Sequence, residues 1–311
     1  MMTRREFVRS AGVVATSAAG VIQAACSGKG GPGDEQAGQP LPRFSFGNAF
    51  PGSLTSSPQI INVSHYDPKE AQRSGETYTE SDVSALRRNG ALGLIPRVGK
   101  GRTTDTKCAS FLRAADREGM LLGAYYFILK GVDPGWQADR FVDRIKEIKR
   151  SGGSWRATKI LMVVDIDSAS TMREILRAID VVERRTGKVP MVYMENSLDL
   201  MKRVRSASEA DKRRLARSPY WLALYGHTAS GREDPQGMLD HYRVWKKPFM
   251  WQYGGVEWNR SRGRSIAKHY NHGRWRSPQY FGNMRQPMER NAFNGSRQEL
   301  YAFWDRYAWE W

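Results

Sequence analysis

KILMVVDIDSASTMREILRAIDVVERRTGKVPMVY, residues 159–193, reads as strand, helix, strand. Lys159–Val164 is a short apolar run suited to a buried strand. Thr171–Thr186 carries apolar residues at helical spacing and is closed by Gly187, and Val189–Tyr193 is the next strand. The same alternation extends both ways. Upstream lie a strand at Ile60–Val63, a helix at Ser81–Asn89, a strand at Ala91–Pro96 and a helix at Asp105–Glu118 with Gly119 at its end. A strand at Leu121–Phe127 and a helix at Trp136–Arg150 complete the run, and Trp221–Tyr225 and Phe249–Tyr253 are later strands. Such alternation predicts an α/β protein with a parallel sheet. The number of units favours a single-domain, TIM-like (β/α) barrel over an open doubly wound sheet. No Gly-rich phosphate fingerprint follows the first strand, which counts against a dinucleotide fold.

Composition fits. With 40% hydrophobic and 26% charged residues the chain can bury a sizeable core, and 30 Gly, 14 Pro and 2 Cys exclude collagen-like and disulfide-dense classes. A net charge of +17 attracts polyanions: nucleic acid, anionic lipid headgroups or acidic cell-wall polymers. The compartment is read from residues 1–26. Arg4-Arg5, the weakly apolar stretch Ala11–Ile22 and Ala24-Ala25-Cys26 form a twin-arginine export signal with a lipoprotein-type cleavage site at Cys26. Residues 27–42, rich in Gly, Pro, Gln and Ser, are a flexible tether, and 43–311 are the folded domain. The expected location is periplasmic or extracellular, with a membrane anchor if Cys26 carries lipid. Cys108, on the apolar stripe of its helix, reads as a buried core thiol.

In a (β/α) barrel the working residues sit at the C-terminal ends of the strands. Those ends hold Asn62 and Tyr66, then Arg97 and Lys100, then Tyr125 and Tyr126. Asp165 and Asp167 follow, then Tyr193 and Glu195, Tyr225, and Trp251, Gln252 and Tyr253. Carboxylates with Tyr and Trp suit a sugar site, where rings stack on pyranose faces and carboxylates do acid–base work. Asp165-Ile166-Asp167 is the sharpest signal: two apart on a strand, both carboxyls face one side. Like charges held close push one pKa up, so one group can stay protonated. A solvated pair or a pair of metal ligands is the alternative.

Several segments resemble, in order, glycoside hydrolase family 25 lysozymes, the muramidases. Asn62-Val63-Ser64-His65-Tyr66 is similar to the family's Asp-Val-Ser-His-Tyr opening, and GMLLGAYYF, Gly119–Phe127, to its Gly-Leu-x-x-Gly-Ala-Tyr-His-Phe strand. Gln137, Ala138 and Phe141 match a Gln-Ala-x-x-Phe helix, and VVDID stands where the family has Asp-x-Glu. RRTGKVPMVYMENS, YWLALY and Trp251-Gln252-Tyr253 follow, and MERNAFNGS, Met288–Ser296, is similar to the closing Asp-x-Asn-x-Phe-Asn-Gly. The resemblance spans roughly Ile60 to Trp304. It implies an irregular (β/α) barrel, no cofactor, and cleavage of the muramic acid–glucosamine β-1,4 bond of peptidoglycan.

Departures from the pattern fall on the acidic positions. Asn62 replaces the family's Asp and cannot exchange protons. Asp167 replaces the Glu that serves as acid, which withdraws the carboxyl by about 1.5 Å, and a misplacement of about 1 Å can cost ~100-fold in rate. Glu289 replaces the closing Asp; only Asp165 is unaltered. Two functions stay open. In the first, a hydrolase, Asp167 protonates the leaving oxygen, Asp165 steers the substrate N-acetyl group, and Glu289 restores charge at the mouth. In the second, the barrel grips peptidoglycan or another anionic glycan through Tyr66, Tyr125, Tyr126, Tyr193, Tyr225, Trp251, Gln252 and Tyr253 without cleaving it. Trp258–Arg276 is basic, with no Asp or Glu; Arg260, Arg262, Arg264 and Lys268 are expected to contact the anionic cell envelope. Nucleic acid is not expected for an exported protein, His269 and His272 lack further metal ligands, and a monomer is expected.

Overall fold

The computed structural model describes residues 54–67, 78–194, 197–225, 235–259, 264–272 and 275–311. The signal and tether at 1–42, Glu195, Arg260 and Arg262 therefore lie outside the described residues. In chain order the structure contains β1 (Gln59–Val63), α1 (Glu80–Arg88), β2 (Ala91–Lys100), β3 (Thr103–Thr104), α2 (Cys108–Arg117), β4 (Leu121–Ile128) and α3 (Pro134–Ser151). Next come β5 (Lys159–Ile166), α4 (Met172–Thr186), β6 (Met191–Met194), α5 (Leu198–Arg205), α6 (Glu209–Ala216), β7 (Tyr220–Ala223) and α7 (Pro235–Tyr242). The remainder is β8 (Met250–Asn259), β9 (Arg264–His269), β10 (Asn271–His272), β11 (Trp275–Arg276), β12 (Glu289–Phe293), α8 (Arg297–Tyr307) and β13 (Trp309–Glu310).

Eight strands close into a barrel. β1, β2, β4, β5, β6, β7 and β8 run parallel in that order. β12 completes the circle antiparallel to both β8 and β1, which makes the barrel irregular. The expected barrel is thus present, and the closing strand is the element that strand–helix alternation did not foresee. β5 is buried at every residue but its first. That is the demand on a strand with helices over one face and a packed interior behind the other. α4 follows because Thr171 caps it, accepting from the Glu174 amide while the Glu174 carboxylate accepts from the Thr171 amide at 2.7 Å. Thr171→Ala should lower stability by about 1 kcal/mol, read as a shift in the denaturant midpoint at constant slope.

Strand alternation divides the apolar residues into two layers. One side chain in two points outward against the helices, as Ile61, Leu94, Leu122, Val164 and Val192 do. The others, including Ile60, Ile95, Leu161, Val163, Met191 and Trp221, fill the interior. α8 joins the interior layer and closes the end at which the parallel strands begin. Phe303 packs on Phe249 and Phe293 at ring distances of 5.1 and 5.4 Å, and the Trp304 indole donates to the Leu122 carbonyl at 2.8 Å. The opposite end is left for polar groups. Cys108 is buried in the outer layer, where burial pushes its thiol pKa up. Among the described residues, no helix is long and apolar enough to cross a membrane.

Candidate active site

The open end of the barrel holds a directed chain of hydrogen bonds. Its origin is Trp221, whose indole N–H can only donate; it reaches Asn291 Oδ1 at 2.9 Å. That fixes the Asn291 amide, whose nitrogen donates to the Ile60 carbonyl at 3.0 Å and to Asn62 Oδ1 at 2.8 Å. Gln252 Nε2 also donates to Asn62 Oδ1, at 3.3 Å, while Gln252 Oε1 accepts from the Tyr193 hydroxyl at 2.5 Å. With its oxygen so occupied, Asn62 turns its N–H toward Glu289, and Nδ2 donates to Glu289 Oε2. Asn62, Gln252 and Asn291 are buried, so each bond forms away from competing water. Tyr193 stands edge-on to Trp221 at 5.1 Å, which braces both donors.

The two aspartates of β5 part company. Asp165, 2% exposed, lies inside in register with Phe127 and Tyr193. Asp167 lies on the rim just beyond the strand. Its Oδ1 accepts from the Ala169 amide at 2.9 Å and its Oδ2 from the Lys130 amide at 3.2 Å. Two amides occupy only part of the four lone-pair sites of a carboxylate, so Asp167 is oriented without being saturated.

Across the mouth, Asp105 is a buried carboxylate that the strand-end reading overlooked because it stands after the β2–β3 hairpin. It accepts from the His65 amide at 2.8 Å, the Lys107 amide at 3.1 Å and Arg97 Nε at 3.3 Å. Arg97 lies beneath the half-exposed Tyr66 ring at 5.1 Å, so Tyr66 is held at the mouth with one face turned away from solvent. Burial lowers the His65 pKa; Asp105 opposes this, and Arg97 and Lys107 add to it. Folded His65 therefore takes up its proton at lower pH than the unfolded chain, whose value is 6.5. Between the two values the unfolded state binds more protons, so stability falls as pH drops below about 6.5 and levels off beneath the folded value. Denaturant midpoints measured from pH 8 to 5 should show this decline, and His65→Gln should remove that component.

Not every expected ligand-binding residue faces the site. Tyr125, Tyr193 and Gln252 point inward, and Tyr66 stands at the mouth. Tyr225, half-buried, lies where a side chain on Gly255 would come within 2.3 Å of its ring, so only glycine admits it. Tyr126, Trp251 and Tyr253 face outward, because neighbours of inward residues on a strand must. Tyr126 packs on Phe141 and donates to the Gly101 carbonyl at 2.8 Å. Trp251 donates to the Leu224 carbonyl at 2.9 Å and meets Tyr270 and Trp275 edge-on. Tyr253 donates to Gln59 Oε1 at 2.5 Å, and burial pushes its pKa up to about 12. These three are structural. Trp221 and Asn291 were missed, although Asn291 follows Glu289 by two residues and so shares its face. Among the described residues, no three His, Cys, Asp or Glu side chains converge as a metal site.

This architecture is shared with solved structures. The bacterial lysozyme from Streptomyces coelicolor superposes with a TM-score of 0.53 at 21% identity, covering 81% of this chain and 98% of that one. The spore cortex lytic enzyme SleM of Clostridium perfringens gives 0.51 at 19% identity, covering 77% and 68%. A family GH25 lysozyme from Aspergillus fumigatus gives 0.50 at 17% identity, covering 80% and 99%. No curated protein matches the chain. The model of glycosyl hydrolases family 25 matches residues 71–259, more than half of the sequence, and the chain belongs to that family.

Proposed function

We propose that the protein is an exported hydrolase that cleaves the β-1,4 bond between muramic acid and glucosamine in peptidoglycan. The observation that carries this reading is the gathering of Asp165, Asp167 and Glu289 with Tyr125 and Tyr193 at the open end of a family 25 barrel. In this reading Asp167 gives its proton to the glycosidic oxygen as the bond to the anomeric carbon breaks. The substrate's N-acetyl oxygen, steered by Asp165, closes on that carbon, and water then opens the intermediate. Glu289, held by Asn62, supplies negative charge opposite. The chemistry uses carboxyl groups alone. Export by the twin-arginine signal and lipid at Cys26 belong to the same proposal. So does contact with the anionic envelope by the β8–β9 hairpin, which bears Arg264 and Lys268 and leaves the barrel at its open end. Peptidoglycan incubated with the purified protein should release fragments with new reducing ends on muramic acid; an undigested wall would count against the reading.

One observation favours a second reading, a barrel that grips glycan without cutting it. Asn62 has no proton to give and is bound on both sides, by Glu289 and by the amides of Asn291 and Gln252. A wall that binds the protein and stays intact would decide for it.

A further inference from the structure

Arg102, Trp136 and Arg140 form a cationic cradle on the rim, apart from the carboxylates. β2 and β3 are joined by a two-residue turn, Gly101-Arg102, in which Lys100 pairs with Thr103. Gly101 takes φ +56°, a left-handed conformation that glycine accepts readily, and this puts Arg102 at the tip. Trp136 stands in the first turn of α3, 40% exposed, its amide held by Asp133 Oδ1 at 2.6 Å. The guanidinium carbons of Arg102 and Arg140 lie 5.4 and 5.6 Å from the centre of its ring. Arg140 is further fixed by donating to Thr104 Oγ1 at 2.9 Å.

Several cations of the described residues are ion-paired, and these two arginines, like Arg87 and Arg88, are not. Lys130 is matched by Glu174 at 2.7 Å, Arg97 by Asp105 at 3.3 Å and Arg185 by Asp139 at 2.6 Å. Among the described residues, neither Arg102 nor Arg140 has a carboxylate within ion-pair distance. Two like charges beside one indole repel each other, and among the described residues no ion pair to a carboxylate offsets that. The indole orders both guanidinium planes in advance, so less side-chain freedom is lost when their N–H groups bind an oxyanion. The cradle is also tied to the chemistry. Gln137 pins the loop after β4 by accepting from the Leu129 amide at 2.8 Å and donating to the Leu129 and Val132 carbonyls. The next amide, Lys130, holds Asp167.

We propose that Arg102, Trp136 and Arg140 form a subsite for an acidic group, a carboxylate or a phosphate, carried by the wall strand that lies across the barrel mouth. The inference rests on the hydrolase reading for what the strand is, and on the cradle's own geometry for what it binds. It gives the protein a preference for acidic strands over neutral ones of equal length.

The test is a pull-down of the purified protein by insoluble wall in three preparations: intact, stripped of phosphate polymers, and freed of stem peptides. The double variant Arg102→Gln with Arg140→Gln should bind intact wall about fivefold to tenfold more weakly and lose part of its salt dependence, as expected for two exposed charge contacts. The control Arg87→Gln with Arg88→Gln removes the same charge from the last turn of α1, at the closed end of the barrel, and should bind as wild type. Trp136→Leu, which keeps both charges and removes the surface that orders them, should weaken binding at unchanged net charge. Thermal melts of each variant confirm folding. A deficit that disappears on phosphate-free wall identifies phosphate; one that disappears on peptide-free strands identifies stem carboxylates. Equal binding by the double variant and wild type, or equal losses in the double variant and the control, would overturn the subsite. Wall that is bound through these arginines but not cleaved would retire the hydrolase reading and keep the subsite.

Discussion

Asp167→Asn should reduce peptidoglycan cleavage by about 10²–10⁴-fold, the usual contribution of a positioned general acid. An amide has no proton to pass to the leaving oxygen. The substitution also disturbs the rim, because Asp167 accepts from both Lys130 and Ala169 and an amide keeps one oxygen for the two donors. The expected structural cost is about 1–3 kcal/mol for the donor left unmatched, which a thermal melt measures separately from turnover. Asp167→Glu separates chemistry from structure further. It keeps a carboxyl and extends it by one methylene, so cleavage should persist or rise. Measurement of reducing ends released by the three proteins decides the matter. Undiminished cleavage by Asp167→Asn would remove Asp167 from the acid role.

Asn62→Asp should destabilise the fold by about 2–4 kcal/mol at pH 7. Asn62 donates to Glu289; an aspartate there offers a carboxylate to a carboxylate and loses a bond of the charged kind, worth about 1.5–3 kcal/mol. Proton uptake caps the repulsion. Carboxyls ordinarily titrate near 4, and each pH unit above that costs about 1.4 kcal/mol, so the ceiling at pH 7 is about 4 kcal/mol. The sign follows from the same argument. The pair's folded pKa is raised, so the deficit is nearly absent below about pH 4 and grows as pH rises through the folded value. Denaturant titrations of wild type and Asn62→Asp at pH 4 and 7 give the difference directly. Glu289→Asp in the same chain shortens the facing side chain and should recover part of the loss, a coupling that a double-mutant cycle measures. An equal deficit at both pH values would show that charge opposition is not the cause. The acid on β12 and the neutral amide on β1 fit each other.

Much of the barrel could be read from residues that announce themselves. β5 and α4 are an apolar run and an amphipathic helix with a glycine stop, and both occur close to where periodicity put them. β12 was opaque for the opposite reason. Glu-Arg-Asn-Ala-Phe has polar side chains directed into the barrel, and its antiparallel sense comes from partners far away in sequence. The site was legible in residue type and not in phase. Tyr125 and Tyr126, or Gln252 and its two aromatic neighbours, are equal candidates on paper; only the pairing of strands decides which one enters. The chain from Trp221 to Glu289 could not be read at all, since it joins residues from four strands through the orientation of three amides.

Closure by β12 also governs the order of folding. The units from β2 to β6 bring together segments a few tens of residues apart, and such contacts form early. The seam is different: Gln59 pairs with Ala292 and Asn62 with Glu289, so the circle shuts only when segments more than two hundred residues apart meet. Until then β1 and β8 present unpaired edges, open to strands of other chains. The Asn62–Glu289 contact forms in that same step. A time course of amide protection should therefore show the β4–β5 ladder guarded first and the β1–β12 ladder last, and competence for catalysis should appear with the later phase.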